Sequence, residues 1–334
     1  MTLQLRTKLA GKALLTGTSG FIGGHLRDAL LASGTEVVAL VRRSSPASDK
    51  ARTVVVDYED EKAVRDVIAR ERPDWVFHVA GSTKGVTYDD FRRGNVLPTE
   101  NLVAGLLAEH PSVKRFVLVS SLAAYGPSND GPPRRESDAR APVEYYGRSK
   151  LEAERVVEQL GDQLAWTIVR PAAVYGPAEV DMFTLFKAAK AGINLFYGNR
   201  DKRFSAVYVD DLLQAIVDAA HSGQTRGRGY FICDGEAYTW GQAQGYIVKA
   251  VGRRALPVSL PAFLVPIAGF AGELLTAVDK KPRLLNRQKA RMDAQQAWLC
   301  SSEAAARDFD FRPHVRMEEG TRRAYDWYVA HGWL

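Results

Sequence analysis

Short apolar runs alternate with helix-patterned stretches over the first half of the chain. The runs lie near Lys12 (KALLTG), Glu36 (EVVALV), Thr53, Asp74, Arg115 (RFVLVS) and Ala165. A near-continuous apolar run of this length marks a strand covered on both faces. Its alternation with helices is the pattern of a doubly wound parallel sheet, so the fold class is α/β. After Gly176 the pattern changes. Asp181–Gly192 predicts a short helix and Leu195–Phe204 a loop or short strand. Phe204–Val209 and Gly229–Cys233 predict strands again, with a helix over Asp210–His221 between them. A smaller substrate lobe is therefore expected to interleave with the sheet domain. The sheet domain takes residues 10–177 plus 204–233, the lobe 178–203 plus 234–311, and a C-terminal helix 312–334.

Two stretches stand outside this alternation. Gly126–Val143 is rich in Pro, Gly and Asp and predicts a loop suited to cover a site. Leu256–Val278 is the most apolar stretch, but Pro257, Pro261, Pro266 and Glu273 interrupt it. It is too broken for a spanning helix. One reading makes it a buried helix of the lobe. The other gives it contact with a membrane surface, with Arg283, Arg287 and Arg291 just downstream.

The first strand runs into Gly17, Gly20 and Gly23, spaced G-x-x-G-x-x-G. Phe21, Ile22, Leu26, Leu30 and Leu31 follow at helical spacing. A strand, a glycine turn and a helix N-terminus form the Rossmann dinucleotide site. Backbone N–H groups and the helix dipole there hold the pyrophosphate. The second strand ends in Arg42, Arg43 and Ser44 with no carboxylate, and Glu36 lies at its other end. An arginine at that point can fork onto a 2′-phosphate, which favours NADP over NAD. Far downstream, Tyr146 and Lys150 stand at i and i+4 and share one helix face. A phenol next to an ammonium can exchange a proton with a substrate oxygen. Ser120 and Ser121 close the RFVLVS strand, while Tyr145 faces elsewhere on its helix.

On these residues the chain resembles an extended short-chain dehydrogenase/reductase of the NAD-dependent epimerase/dehydratase type, over nearly its whole length. TGTSGFIG is similar to the family's glycine motif, which implies cofactor contacts from Gly17, Ser19, Gly20, Phe21, Ile22 and Gly23. The resemblance adds Asp57 and Tyr58 near the adenine, Val79, Ala80 and Gly81 at the end of the fourth strand, and Asn95 on the next helix. It makes Ser121, Tyr146 and Lys150 catalytic, and it places Ser120, Pro171, Ala173 and Val174 beside the nicotinamide, with Arg42 at the ribose. It also implies a homodimer through the helices over Val96–Glu109 and Tyr146–Leu160.

Within the resemblance the substrate divides two ways. Nucleotide-sugar members carry an Arg three residues before the Val of a VYVDD stretch. Here that position is Phe204, with Arg203 one residue earlier, and an expected Asn is missing from AEVDMFTLF. These departures favour a largely apolar alcohol or ketone, of steroid, flavanol or ketoacyl type. A nucleotide-sugar epimerase or dehydratase is the alternative. A non-catalytic dinucleotide sensor is the second alternative, which would not need Ser121, Tyr146 and Lys150.

Composition removes other classes. The formal charge of +6 over 334 residues is mild and scattered, so nucleic acid is not expected as a partner. Cys233 and Cys300 are isolated and the six histidines dispersed, which predicts neither a disulfide framework nor a metal site. The start, MTLQLRTKLAGK, does not read as a signal peptide, so a cytoplasmic location is expected.

Overall fold

The computed structural model describes residues 3–45, 49–197, 199–260, 288, 291–292 and 294–334. Seven parallel strands form the central sheet. They are β1 (Lys12–Thr16), β2 (Glu36–Val41), β3 (Arg52–Val55), β4 (Trp75–His78), β5 (Arg115–Val119), β6 (Trp166–Pro171) and β11 (Arg228–Ile232). Their spatial order is β11-β6-β5-β4-β1-β2-β3. The order reverses between β1 and β4, and in such sheets a ligand crevice opens beyond the carboxyl ends of the strands at this reversal.

Strand alternation builds two cores. Leu15, Phe77, Val117 and Val169 face α1 (Phe21–Ala32) and α7 (Val209–His221). Their sequence neighbours Leu14, Val76, Phe116 and Ile168 face α2 (Glu61–Glu71), α4 (Leu97–Glu109) and α5 (Tyr145–Glu158). Because side chains alternate across a strand, an unbroken apolar run serves both faces.

Among the described residues the remaining strands form three small sheets. β7 (Ala173–Tyr175) pairs with β10 (Ala206–Tyr208), in parallel. β9 (Arg203–Phe204) lies between β12 (Tyr238–Thr239) and β14 (Ala297–Trp298). β8 (Ile193–Tyr197) pairs in parallel with β13 (Leu256–Leu260). Three helices pack beside them: α6 (Val180–Lys190), α8 (Trp240–Val251) and a C-terminal helix over Met317–Ala330. Phe186, Ile247, Ala324 and Tyr328 form their shared core.

The stretch from Leu195 to Phe204, expected as a loop or one short strand, contributes to two strands. Leu256–Leu260 is also a strand rather than the start of a buried helix, because β8 offers it an open edge for pairing. Residues 261–278 of that apolar stretch, with Arg283 and Arg287, lie outside the described residues. No helix among the described residues is long and apolar enough to cross a membrane.

Candidate active site

The glycine turn sits at the strand-order reversal. Gly17 has φ +78°, a left-handed conformation that suits glycine, and a Cβ there would lie 2.7 Å from the Ala80 nitrogen. A Cβ on Gly23 would lie 2.1 Å from the Gly17 carbonyl oxygen. The turn thus packs backbone against backbone, which no other residue type allows. α1 begins at Gly20 with no side-chain cap and no acidic residue in its first turn. Its N-terminus is built to receive an anion. Ser19 and Gly20 are exposed on this turn, and Phe21 and Ile22 are half-buried.

A buried chain of hydrogen bonds holds the facing loop. The Thr16 hydroxyl accepts from the Val79 and Ala80 N–H groups at 3.1 and 3.0 Å. With both lone pairs engaged, it donates to His78 Nδ1 at 2.8 Å. His78 Nε2 then donates to the Thr99 hydroxyl at 3.1 Å, which donates to the Asn95 carbonyl at 2.8 Å. Burial, with the Lys150 charge adding to it, pushes the imidazole down to about 3, so it stays neutral. The chain ties β1, β4 and the Asn95 segment together at the crevice.

Asn95 stands on a π-helical turn, Arg92–Val96, that leads into α4. Such turns often occur at functional sites. Its side-chain oxygen accepts from the Ser82 N–H at 2.7 Å, and its amide donates to the Ser82 carbonyl and the Ser149 hydroxyl. Gly81 fits into the space left: a Cβ there would lie 2.7 Å from Asn95 Oδ1 and 3.0 Å from Lys150 Nζ.

Ser121, Tyr146 and Lys150 meet where β5 ends and α5 begins. The Glu144 carboxylate caps α5 by accepting from the Tyr146 and Gly147 N–H groups at 2.5 and 2.6 Å. The Ser121 hydroxyl accepts from the Ala123 N–H at 3.1 Å and lies close enough to the Tyr146 phenol to influence its ionisation. Burial pushes that phenol up to about 12, Ser121 opposing and Glu144 adding to the shift. Lys150 Nζ donates to the Val119 carbonyl at 3.0 Å and lies 6.0 Å from the Tyr146 ring centre. Burial pushes the ammonium down to about 8, against the charge of Glu154 one helical turn on. Glu154 is itself fully buried and forks onto Arg170 at 2.9 and 3.0 Å. The Ser120 hydroxyl is buried beside this group and has no protein partner. Tyr145 is turned away, packing edge-on against Tyr88 at 5.7 Å.

The other expected residues divide. Arg42 is exposed at the end of β2, and Asp57 is exposed after β3 with its carboxylate on the Glu59 N–H. Tyr58 points into the core, its hydroxyl on the Leu40 carbonyl, so it supports the end of β2 and does not face the crevice. Pro171 is buried at the end of β6, while Ala173 is exposed and Val174 half-buried on β7. Phe204 is buried in the lobe against Trp240, ring centres 4.8 Å apart, and Arg203 beside it is exposed. Sequence reasoning passed over Thr16, His78, Thr99 and Glu144. The one signal was a histidine inside the apolar run WVFHVA. Among the described residues no group of three His, Cys, Asp or Glu side chains could hold a metal ion.

The uncapped helix, the glycine cradle and the unpartnered Ser120 hydroxyl fit a dinucleotide. Fold and site together define a nicotinamide-dependent α/β oxidoreductase. The sequence profile of the NAD dependent epimerase/dehydratase family matches residues 13–233, and the chain belongs to that family. The chain is 27% identical to a ceramide reductase of Caulobacter vibrioides over 99% of this chain and 98% of that one. It is 31% identical to a 3-beta-hydroxysteroid dehydrogenase of Mycolicibacterium neoaurum over 78% and 75% of the two chains. In fold it is similar to a UDP-glucose 4-epimerase of Thermotoga maritima, with TM-score 0.79, 23% identity, and 96% and 99% of the two chains covered.

Proposed function

We propose that this protein is an NADP-preferring reductase of a largely apolar ketone. The observation that carries the chemistry is the meeting of Ser121, Tyr146 and Lys150 at the strand ends beside the glycine turn. Bound NADPH supplies the hydride. The Ser121 hydroxyl donates to the substrate carbonyl and aligns it. Tyr146, held protonated at neutral pH, gives its proton to the alkoxide oxygen as that charge forms. The Lys150 ammonium then stabilises the phenolate left behind. A phenol that is hard to ionise suits this direction, because it starts as a proton donor.

Arg42 supports the NADP preference, being exposed at the ribose end of β2 where no carboxylate competes. Arg42→Asp is expected to shift preference towards NADH by losing one charge-assisted contact, about 1.5–3 kcal/mol. Titrating both cofactors into both proteins checks this. Wild-type binding tighter for NADH than NADPH would sink the preference.

Phe204 supports the apolar substrate. Its ring is committed to Trp240, and a diphosphate held without a charged partner would be costly. The names of the ceramide reductase and steroid dehydrogenase relatives point the same way. Exposed Arg203 favours the nucleotide-sugar reading, yet it neighbours Phe204 on a strand and so faces the opposite side. Calorimetry with UDP and with a long-chain ketone separates the two. Micromolar UDP binding that Arg203→Ala abolishes would establish the sugar reading instead.

A further inference from the structure

The β8–β13 pair presents an apolar face to water. Leu256 stands opposite Ile193 in the ladder, and Val258 follows two residues on, so all three share one face. They are 76%, 43% and 41% exposed. Strands usually keep such a face covered or charged.

Exposed basic residues precede both strands of this pair. Lys190 closes α6, and the exposed Arg253 and Arg254 lead into β13. Arg253 donates to the Lys190 carbonyl at 2.8 Å, and the Leu256 N–H donates to the Gly192 carbonyl at 2.9 Å. These bonds join the two segments that lead into the paired ends of the strands, so all three exposed basic residues lie two or three positions before Ile193 or Leu256. The sequence has no Asp or Glu between Asp181 and Asp201, or between Glu236 and Glu273, the two stretches that this sheet joins.

We propose that this face docks on an anionic lipid surface. Ile193, Leu256 and Val258 enter the boundary between headgroups and acyl chains, and Lys190, Arg253 and Arg254 meet lipid phosphates. An apolar patch flanked by cations, on two stretches that carry no Asp or Glu of their own, matches such a surface in both respects. A second copy of this chain fits less well. A two-fold contact sets the same patch against itself, so it adds three more cations to the interface and supplies no anion from the patch to meet them. The inference goes beyond the substrate reading and does not depend on it.

The test is co-sedimentation of the full chain with vesicles of phosphatidylcholine alone and of equal parts phosphatidylcholine and phosphatidylglycerol. The wild type should pellet with the anionic vesicles, stay in solution with the neutral ones, and be released by high salt. Combining Lys190→Gln, Arg253→Gln and Arg254→Gln should weaken binding roughly 100-fold, at about fivefold per charge. Leu256→Ser with Val258→Ser should also reduce the bound fraction. Thermal melts check that each variant folds, and turnover of a water-soluble ketone should be unchanged, which separates docking from chemistry. Three results would overturn the proposal: no wild-type binding to anionic vesicles, equal binding to neutral ones, or wild-type affinity in the folded charge variant. A wild-type dimer in gel filtration that the Leu256 and Val258 changes split would overturn it too, by making the face a contact between copies.

Discussion

Replacing Gly23 with alanine tests the cofactor site at its tightest point. The added Cβ would lie 2.1 Å from the Gly17 carbonyl oxygen, 2.5 Å from the Gly17 carbonyl carbon and 3.1 Å from the Thr18 nitrogen. All three are backbone atoms, so no rotamer change relieves the clash. An ordinary carbon–oxygen contact needs more than ~1 Å of extra separation. That shift pushes the Gly17 carbonyl off the Gly20 N–H, which it now accepts at 3.0 Å, and moves the start of α1. Overpacking of this kind costs about 1–3 kcal/mol of stability. The larger effect falls on the cofactor. Misplacing two N–H groups that would meet the pyrophosphate, at about 1.5 kcal/mol or more each, removes about 3 kcal/mol. That corresponds to a Kd roughly 100-fold higher. Gly24→Ala is the matched control. Its Cβ would meet the Thr18 carbonyl oxygen at 3.3 Å, a contact that a few tenths of an ångström relieve, and alanine favours a helix over glycine. NADPH titrations by calorimetry, with melting curves on the same samples, read both effects. A folded Gly23→Ala protein with wild-type affinity would refute the reasoning, and so would an equal loss in Gly24→Ala.

Three further predictions follow from the site. Tyr146→Phe should keep NADPH affinity but lose about 10²–10⁴-fold in kcat, whereas Tyr145→Phe, which removes only a hydroxyl and keeps the ring against Tyr88 and Phe91, should be mild; steady-state kinetics on both variants decide the assignment. Reductive kcat/KM should fall as pH rises through about 8, because Lys150 then loses the proton that stabilises the Tyr146 phenolate; a flat profile from pH 7 to 10 would count against that role. His78, held neutral with its folded value at about 3 against 6.5 unfolded, contributes stability that is fully present above about pH 6.5 and is lost as pH falls towards 3. Denaturant titrations at several pH values should therefore give a shallower acid slope for His78→Gln than for the wild type.

Much of the dinucleotide half could be read from the chain because its signals are local. A strand buried on both faces is apolar along most of its length, so β1, β2, β5 and β6 announce themselves as runs. A backbone that packs on backbone needs glycine, and one helical turn puts Tyr146 and Lys150 on one face. Residue order alone carries those facts. What tertiary structure decided is pairing between distant segments. His78 is neutral because the assembled core buries it beside Lys150, and Thr16 and Thr99, each 21 residues or more away in sequence, complete its hydrogen bonds there. Asn95 finds Ser82 and Ser149 across a π-helical turn that nothing in its local sequence announces. Tyr58 carries the same phenol as Tyr146, yet Leu40 draws it into the core and out of the site. Leu256–Leu260 begins an apolar stretch that one reading made a buried helix, but the open edge of β8 makes it a strand. Local backbone preference differs little between these states, and the partner available to satisfy the backbone and bury the side chain settles which one forms.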